Sequence, residues 1–372
     1  MKINCVTNQE EFLSLKNEWN NLLERASTNT IFLTWEWLFS WWKFYKDGKN
    51  LLILIARDEN QNLIGIAPLM INKRKTFPCL SLKTIQFIGA EKGGSDYLDF
   101  IIFNGKEEEF LNLFFNYLKE HLEIWDLIEL SDMREDSNTI KIIEKIFKKF
   151  GLRVQKKQKS TCPYIHLPEG WDLYLQSLSK KMYKNVTYQT RRLERNYKTK
   201  FETCRDINQI EDAIESFLQL HNMRLQLELD PCWVNFIKEI THCFFEKGWL
   251  KLNFLKINDK PVAVLFDFVY SGKEYYLQSG FNPKWSKFSV GTVLIGLCIK
   301  DAISNGLKEF DFLRGRELYK YNWADKERKT MCIFIITAFS KAKLFYMMEK
   351  MKYLCKNSVK KIKLWWELKK CT

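Results

Sequence analysis

Apolar positions recur at helical spacing over Glu10–Arg25 and again over Thr34–Tyr45, where Trp35, Trp37, Trp41 and Trp42 crowd one short segment. Leu51–Ala56 and Leu63–Ile71 are instead continuous apolar runs split by six polar residues, the pattern of a buried hairpin. Strands are predicted around Thr84–Gly89 and Tyr97–Phe103, a helix over Glu107–Leu122 and a short buried strand at Trp125–Leu130. A helix at Thr139–Phe150 stops at Gly151.

The second half repeats this order. Trp171–Tyr197 reads as one long basic helix, and Ile210–Leu227 and Pro231–Lys247 as two more. Leu250–Ile257 and Val262–Tyr270 form a second hairpin, followed by a strand at Glu274–Gly280. An apolar helix spans Val290–Ser304, with strands at Lys308–Leu313 and Ile333–Thr337 after it. LLILIARDENQNLIGIAPLMI parallels LKLNFLKINDKPVAVLFDFVY, and IWDLIEL parallels EFDFLRG, as in a weak internal duplication. The expectation is an α/β chain with a mixed sheet, in two like domains (residues 1–158 and 159–338) plus a basic amphipathic helical tail (339–372). A length of 372 residues agrees with two domains of roughly 100–200 residues each.

Hydrophobic residues at 46% in a chain of this length exclude a disordered chain or a small disulfide scaffold. The ten cysteines form no CxxC pair or evident framework, and four scattered histidines argue against a zinc site. Such cysteine usage, the absence of an apolar leader in MKINCVTNQEEF and the lack of any run of about 18 apolar residues predict a cytoplasmic protein, at most peripheral to a membrane. The net charge of +14 is concentrated: residues 141–160 and 178–200 each carry eight Lys/Arg against one acid, and 341–372 carry ten against two. Such stretches are either solvated helix faces or surfaces for phosphate-bearing partners.

Candidate chemistry gathers between Tyr275 and Trp323. A strand (YYLQSGFN) leads through PKWSKFSVGT into the apolar helix, whose first turn holds Ser289, Val290, Gly291 and Thr292, with Lys287 just before. Free N–H groups at a helix start, together with a glycine, make an anion cradle, or else an ordinary cap. GxGxxG and GKS/T are both absent, which removes support for dehydrogenases and P-loop enzymes. No GxSxG elbow or Ser/His/Asp ordering appears either.

In EFDFLRGRELYKYNW, Asp311 alternates with Phe310 and Phe312 and therefore leaves the strand on the opposite face. Arg314, Glu317, Tyr319 and Lys320 follow at the strand's carboxyl end. Open α/β sheets bind ligands at that edge. There Asp311 or Glu317 is a candidate base, while Lys320 or Tyr319 is a candidate donor to an oxyanion or a leaving group. The alternative is a surface ion-pair cluster. Lys184 on the basic helix, His221 and Arg224 one turn apart, and Asp96 with Tyr97 after a Gly-Gly pair are further candidates for contact with substrate.

Taken in order, FLTWEWLFSWW, LIGIAPLM, SDYLDF, WDLIEL, CPYIHLP with SLSKKMYKN, LHNMR and FDFLRGRELYKYNW resemble the cellulose-biosynthesis-type (CelD-like) acyltransferases of the GNAT superfamily, over about residues 28–335. The resemblance implies tandem GNAT-like domains, the second binding acetyl-CoA or another acyl-CoA with no metal. It places the pyrophosphate at Ser289–Val293 and the pantetheine along Leu277, Ser279 and Gly280. The related Fem-type aminoacyl transferases share the tandem architecture and an aromatic–Lys–x–x–aromatic segment that Tyr319–Trp323 matches. This makes Lys320 the first candidate for stabilising the tetrahedral intermediate. The implied activity is acyl transfer to an amine or hydroxyl on a sugar or other cell-envelope or polysaccharide precursor. The acceptor groove would be lined by Asp96, Tyr97, His221, Arg224 and Asp311. Two alternatives stand beside it: aminoacyl transfer from tRNA, the only reading that brings in nucleic acid, and a non-enzymatic docking module whose aromatic, Lys-rich tail meets an anionic membrane.

Overall fold

The chain is described here by a computed structural model covering residues 2–77, 80–150 and 152–336. Its first half runs β1 (Lys2–Val6), α1 (Gln9–Ser14), α2 (Lys16–Glu24), α3 (Trp35–Tyr45), β2 (Lys49–Arg57), β3 (Leu63–Phe77), β4 (Leu80–Phe87), β5 (Ile101–Ile102), α4 (Glu107–Glu120), β6 (Leu127–Arg134), α5 (Asn138–Lys149) and β7 (Arg153–His166). After α6 (Trp171–Ser177) and α7 (Lys180–Asn196), the second half repeats the order. It runs β8 (Thr199–Thr203), α8 (Ile210–Leu225), α9 (Pro231–Glu246), β9 (Leu250–Ile257), β10 (Lys260–Tyr270), β11 (Lys273–Phe281), α10 (Val290–Ser304), β12 (Glu309–Asp311), α11 (Leu318–Tyr321) and β13 (Lys326–Ile336). The expected mixed α/β architecture and the tandem arrangement are both present.

Three local signals correct the predicted boundaries. Leu15 separates α1 from α2, dividing the helix read over Glu10–Arg25. Ser179 accepts from the Met182 amide as the N-cap of α7, which divides the basic helix read over Trp171–Tyr197. The strand predicted at Tyr97–Phe103 shrinks to Ile101–Ile102. Gly89, Gly93, Gly94 and Tyr97 all have positive φ, and the chain coils there into a buried loop instead of extending.

One sheet carries the whole chain, in the order β1-β2-β3-β4-β6-β13-β7-β12-β11-β10-β9-β8. Each half is a meander whose fourth long strand pairs in parallel with the strand beyond the crossover helix: β4 with β6 across α4, and β11 with β12 across α10. The halves then exchange their last strands. β7, from the first half, lies against β12, while β13, from the second, lies against β6. The two exchanged strands pair antiparallel with each other, from Arg153 opposite Ile336 to Tyr164 opposite Lys326. Residue 158, where the sequence suggests a domain boundary, lies inside β7. The tail from residue 339 lies outside the described residues.

Helices α3 and α9, equivalent by the repeat, pack on each other across the seam, with Trp37 edge-on to Phe236 at 5.1 Å. The aromatic crowding of α3 is therefore core: Trp37 and Trp41 are buried, with indole N–H groups bonded to Ser95 and to the Lys92 carbonyl. Those bonds hold the 88–100 loop, which matters for the site.

Candidate functional site

β11 and β12 pair only over Lys273–Tyr275 and Glu309–Asp311. From Tyr276 to Phe281, β11 keeps β10 on one side and has no strand on the other. The sheet therefore opens into a wedge at the carboxyl ends of two parallel strands, with α10 starting beside it. In the first half the equivalent region is occupied: Phe100, carried by the 88–100 loop, packs on Phe87 at 5.3 Å and on Phe114 of α4 at 5.0 Å.

The wedge holds a cleft with two arms. One, of about 200 Å³, lies on the α10 side and is walled by Ser279, Gly280 and Phe281 of β11, Gly291 and Thr292 of α10, Met182 and Asn185 of α7, and Trp323. The other, of about 280 Å³, lies between Leu277, Leu313–Arg314, Glu317, Lys320 and two residues of the first half, Gly94 and Asp96. Arg224, Tyr276, Ser279 and Tyr319 line both arms and mark their junction. At that junction Tyr319 donates to Tyr276 (3.4 Å) and Tyr276 to Ser279 Oγ (2.6 Å). Burial pushes both phenol pKa values up, so the hydroxyls stay protonated at neutral pH.

Two glycines serve different ends. A Cβ on Gly280 would stand 2.3 Å from the His221 backbone nitrogen, so glycine there lets α8 lie directly on β11. A Cβ on Gly291 would meet nothing nearer than Phe281 Cδ1 at 3.9 Å, so no neighbour within the protein requires glycine there. No side chain caps the N-terminus of α10, and Ser289 is left-handed (φ 51°).

Lys320 is buried, with its ammonium on the Arg314 carbonyl (2.6 Å), the Leu313 carbonyl (3.4 Å) and Glu317 Oε2 (3.1 Å). It thereby clamps a strand end at which Leu313 is left-handed (φ 54°), a conformation costly for a branched side chain. Arg314 turns to Asp96 (Nε to Oδ1, 2.9 Å) and to Asp132 (3.5 Å), and its amide donates to Asp96 Oδ2. The first half thus supplies both a wall and a counter-charge to the second half's cleft.

Of the residues singled out in the sequence, the structure gathers Asp96, Arg224, Leu277, Ser279, Gly280, Gly291, Thr292, Arg314, Glu317, Tyr319 and Lys320 around this cleft. It does not bring Asp311 there. Asp311 is fully buried behind the β12 end, accepting from Tyr97 Oη (2.9 Å), Arg328 (3.0 Å) and the Leu313 amide (2.8 Å). Tyr97 therefore faces this buried network and a second polar cavity of about 200 Å³, lined by first-half residues and by Lys273 of β11. His221 is buried between Phe217 and Trp233, its Nδ1 donating to the Ser279 carbonyl at 2.8 Å. Burial holds its pKa below the usual value, so it supports β11 as a neutral ring. Lys184 is exposed on α7, Val290 points into the core, and Lys287 and Ser289 lie outside both arms. Sequence reasoning missed Met182, Asn185 and Tyr276. Tyr276 was open to detection, since it alternates with Tyr275 in a strand bound for a sheet edge. Asn185 was hidden among the lysines of α7, whose charges all point to solvent.

Residues 180–321 match the family model described as an acetyltransferase (GNAT) domain. Solved structures similar over nearly the whole chain include FemX (13% identity, 88% of this chain and 97% of that one, TM-score 0.59). A conserved protein of unknown function from Bacteroides thetaiotaomicron is likewise similar (11%, 90% and 100%, 0.60), as is L-PGS from Bacillus licheniformis (10%, 90% and 96%, 0.53). No curated protein matches the sequence. The second half is thus similar to a GNAT acetyltransferase domain, and such domains usually bind acyl-CoA. Among the described residues there is no group of three or more metal-ligating side chains, and no helix long and apolar enough to cross a membrane.

Proposed function

We propose that the protein transfers an acyl group from acyl-CoA to an amine or hydroxyl of a small or sugar-type acceptor, as in the cellulose-biosynthesis-type acyltransferases its motifs resemble. The observation that carries this reading is the two-armed wedge between β11 and β12, one arm ending at the uncapped N-terminus of α10 with Gly291 bare beside it. The residues present suit the coenzyme. First-turn amides and a Cβ-free approach fit a pyrophosphate, and the lone edge of β11 fits an extended pantetheine. The acceptor would enter by the arm that Asp96, Glu317 and Lys320 surround.

Acyl transfer from a thioester needs a held nucleophile, a route for its proton and donors at the carbonyl oxygen. Here Glu317, more than half exposed at the rim, is the group best placed to pass a proton to solvent. The Tyr319–Tyr276–Ser279 hydroxyl chain leaves the Ser279 O–H as a neutral donor at the junction. Lys320 fixes the strand end that shapes the acceptor arm. Asp311 acts through Tyr97, Arg328 and the Leu313 amide, as a positioning residue.

Calorimetric titration with acetyl-CoA and with CoA tests the reading. Micromolar binding that Gly291→Glu weakens at least tenfold supports it. Absence of binding to both turns attention to aminoacyl-tRNA, for which the exposed basic face of α7, with Tyr183 and Tyr188 beside its lysines, is the favouring observation.

A further inference from the structure

Five charged side chains surround the acceptor arm, and four of them are already matched. Arg314 is paired with Asp96 and with the fully buried Asp132. Lys320 spends its protons on two carbonyls and Glu317. Arg224 is the exception. It reaches the junction from the last turn of α8 and, among the described residues, makes no hydrogen bond or ion pair, although its Nε is shut away from solvent. Leaving that one donor unpaired costs about 1–3 kcal/mol, while the rest of the half-buried guanidinium stays open to the cleft. The surroundings do not offset it: the neighbouring Tyr276, Ser279 and Tyr319 bring hydroxyls, not counter-charge.

An uncompensated guanidinium fixed at a cavity junction is complementary to an anion that arrives with a ligand. On the acyl-CoA reading above, on which this inference rests, the coenzyme does not provide that anion at this point. Its phosphates belong to the α10 end of the other arm, and the pantetheine and thioester that would reach the junction are uncharged. We therefore propose that the acceptor is itself anionic, carrying a carboxylate or phosphate close to its nucleophilic amine or hydroxyl, and that Arg224 binds this group. A neutral sugar could accept a hydrogen bond from Arg224 but would leave its charge without a counter-charge. An anionic acceptor fixes the nucleophile at the junction by a bidentate contact, the geometry that makes positioning effective.

The test is calorimetry on protein saturated with CoA, titrated separately with inorganic phosphate and with acetate, the two bare anions. The expected result is binding of at least one anion, weakened tenfold or more by Arg224→Gln and partly restored by Arg224→Lys, with CoA affinity changed less than twofold. The anion preferred distinguishes a phosphorylated acceptor from a carboxylated one. The proposal is overturned if neither anion binds, if Arg224→Gln leaves anion binding unchanged, or if that variant weakens CoA itself tenfold, which would assign Arg224 to the coenzyme. Failure of the wild-type protein to bind CoA at all would instead remove the acyl-CoA reading. The anion titrations, repeated without CoA, would still report on Arg224.

Discussion

Tyr97 donates its phenolic hydroxyl to Asp311 at 2.9 Å, joining the loop of the first half to β12 of the second. Burial is the largest influence on Asp311 and pushes its pKa up to about 6, against the pull of Arg328. Because the carboxyl holds its proton more tightly folded than unfolded, its contribution to stability is complete below about pH 4 and is lost as pH rises through 6. From an ordinary 3.8 to about 6 the loss amounts to about 3 kcal/mol, at 1.36 kcal/mol per unit. Urea unfolding at pH 4.5 and 7.5 should therefore show a decline that Asp311→Asn reduces. An identical decline in the variant would mean that Asp311 titrates normally.

Removing the Lys320 side chain leaves the Leu313 and Arg314 carbonyls without their donor at the head of the acceptor arm. Lys320→Ala should cost about 1–3 kcal/mol of stability and lower acyl transfer by roughly tenfold to a hundredfold, through misplacement of the strand end. Full activity in a stably folded Lys320→Ala would exclude Lys320 from the site's machinery.

The two cleft glycines should part company under the same substitution. Gly280→Ala forces its methyl to within 2.3 Å of the α8 backbone and should destabilise by about 2–3 kcal/mol or prevent folding. Gly291→Ala adds a methyl that meets Phe281 at ordinary contact distance and should leave thermal stability within about 0.5 kcal/mol, helped by alanine's helix propensity. Any loss there should appear in acyl-CoA affinity instead. Equal destabilisation by both would contradict the assignment of Gly280 to packing and Gly291 to ligand approach.

What the sequence could and could not announce follows from which interactions are local. The hairpins β2–β3 and β9–β10 were legible because both faces of their strands are buried, giving continuous apolar runs. α10 was legible for the same reason. β7 was not: Lys156, Lys157 and Lys159 stand exposed on a strand that only its partners hold in place, and Pro163 sits within it. Nor does any local pattern encode the exchange of β7 and β13. The cleft residues at 277–292 and 314–320 were visible from turn chemistry at a strand end. Asp311 was read correctly as facing away from Phe310 and Phe312. Its assignment to the cleft failed because the partners that enclose it, Tyr97 and Arg328, come from elements far away in sequence.

Arg328 is where the exchange becomes energetic. Carried on β13, it forms a two-pronged pair with Glu309 (2.8 and 2.6 Å), bonds Asp311 at 3.0 Å and lies 3.8 Å over the Tyr164 ring of β7. One guanidinium thus ties both exchanged strands to β12, whose far end forms the cleft. Arg328→Met keeps much of the apolar stem but strands two buried carboxylates, a loss of about 3–5 kcal/mol. Burial, the largest influence on Glu309, pushes its pKa up. The hydrogen bond and charge of Arg328, together with Lys273 and Arg134, outweigh it and hold the carboxyl below the usual carboxylate range, so it would shift upward without Arg328. The variant should therefore recover stability at pH 5 relative to pH 8, where both carboxyls must be charged. Arg328→Lys keeps the charge without the fork and should fall between the two. If Arg328→Met unfolds at the same urea concentration as the wild type at pH 8, the cross-brace is not what holds the halves together.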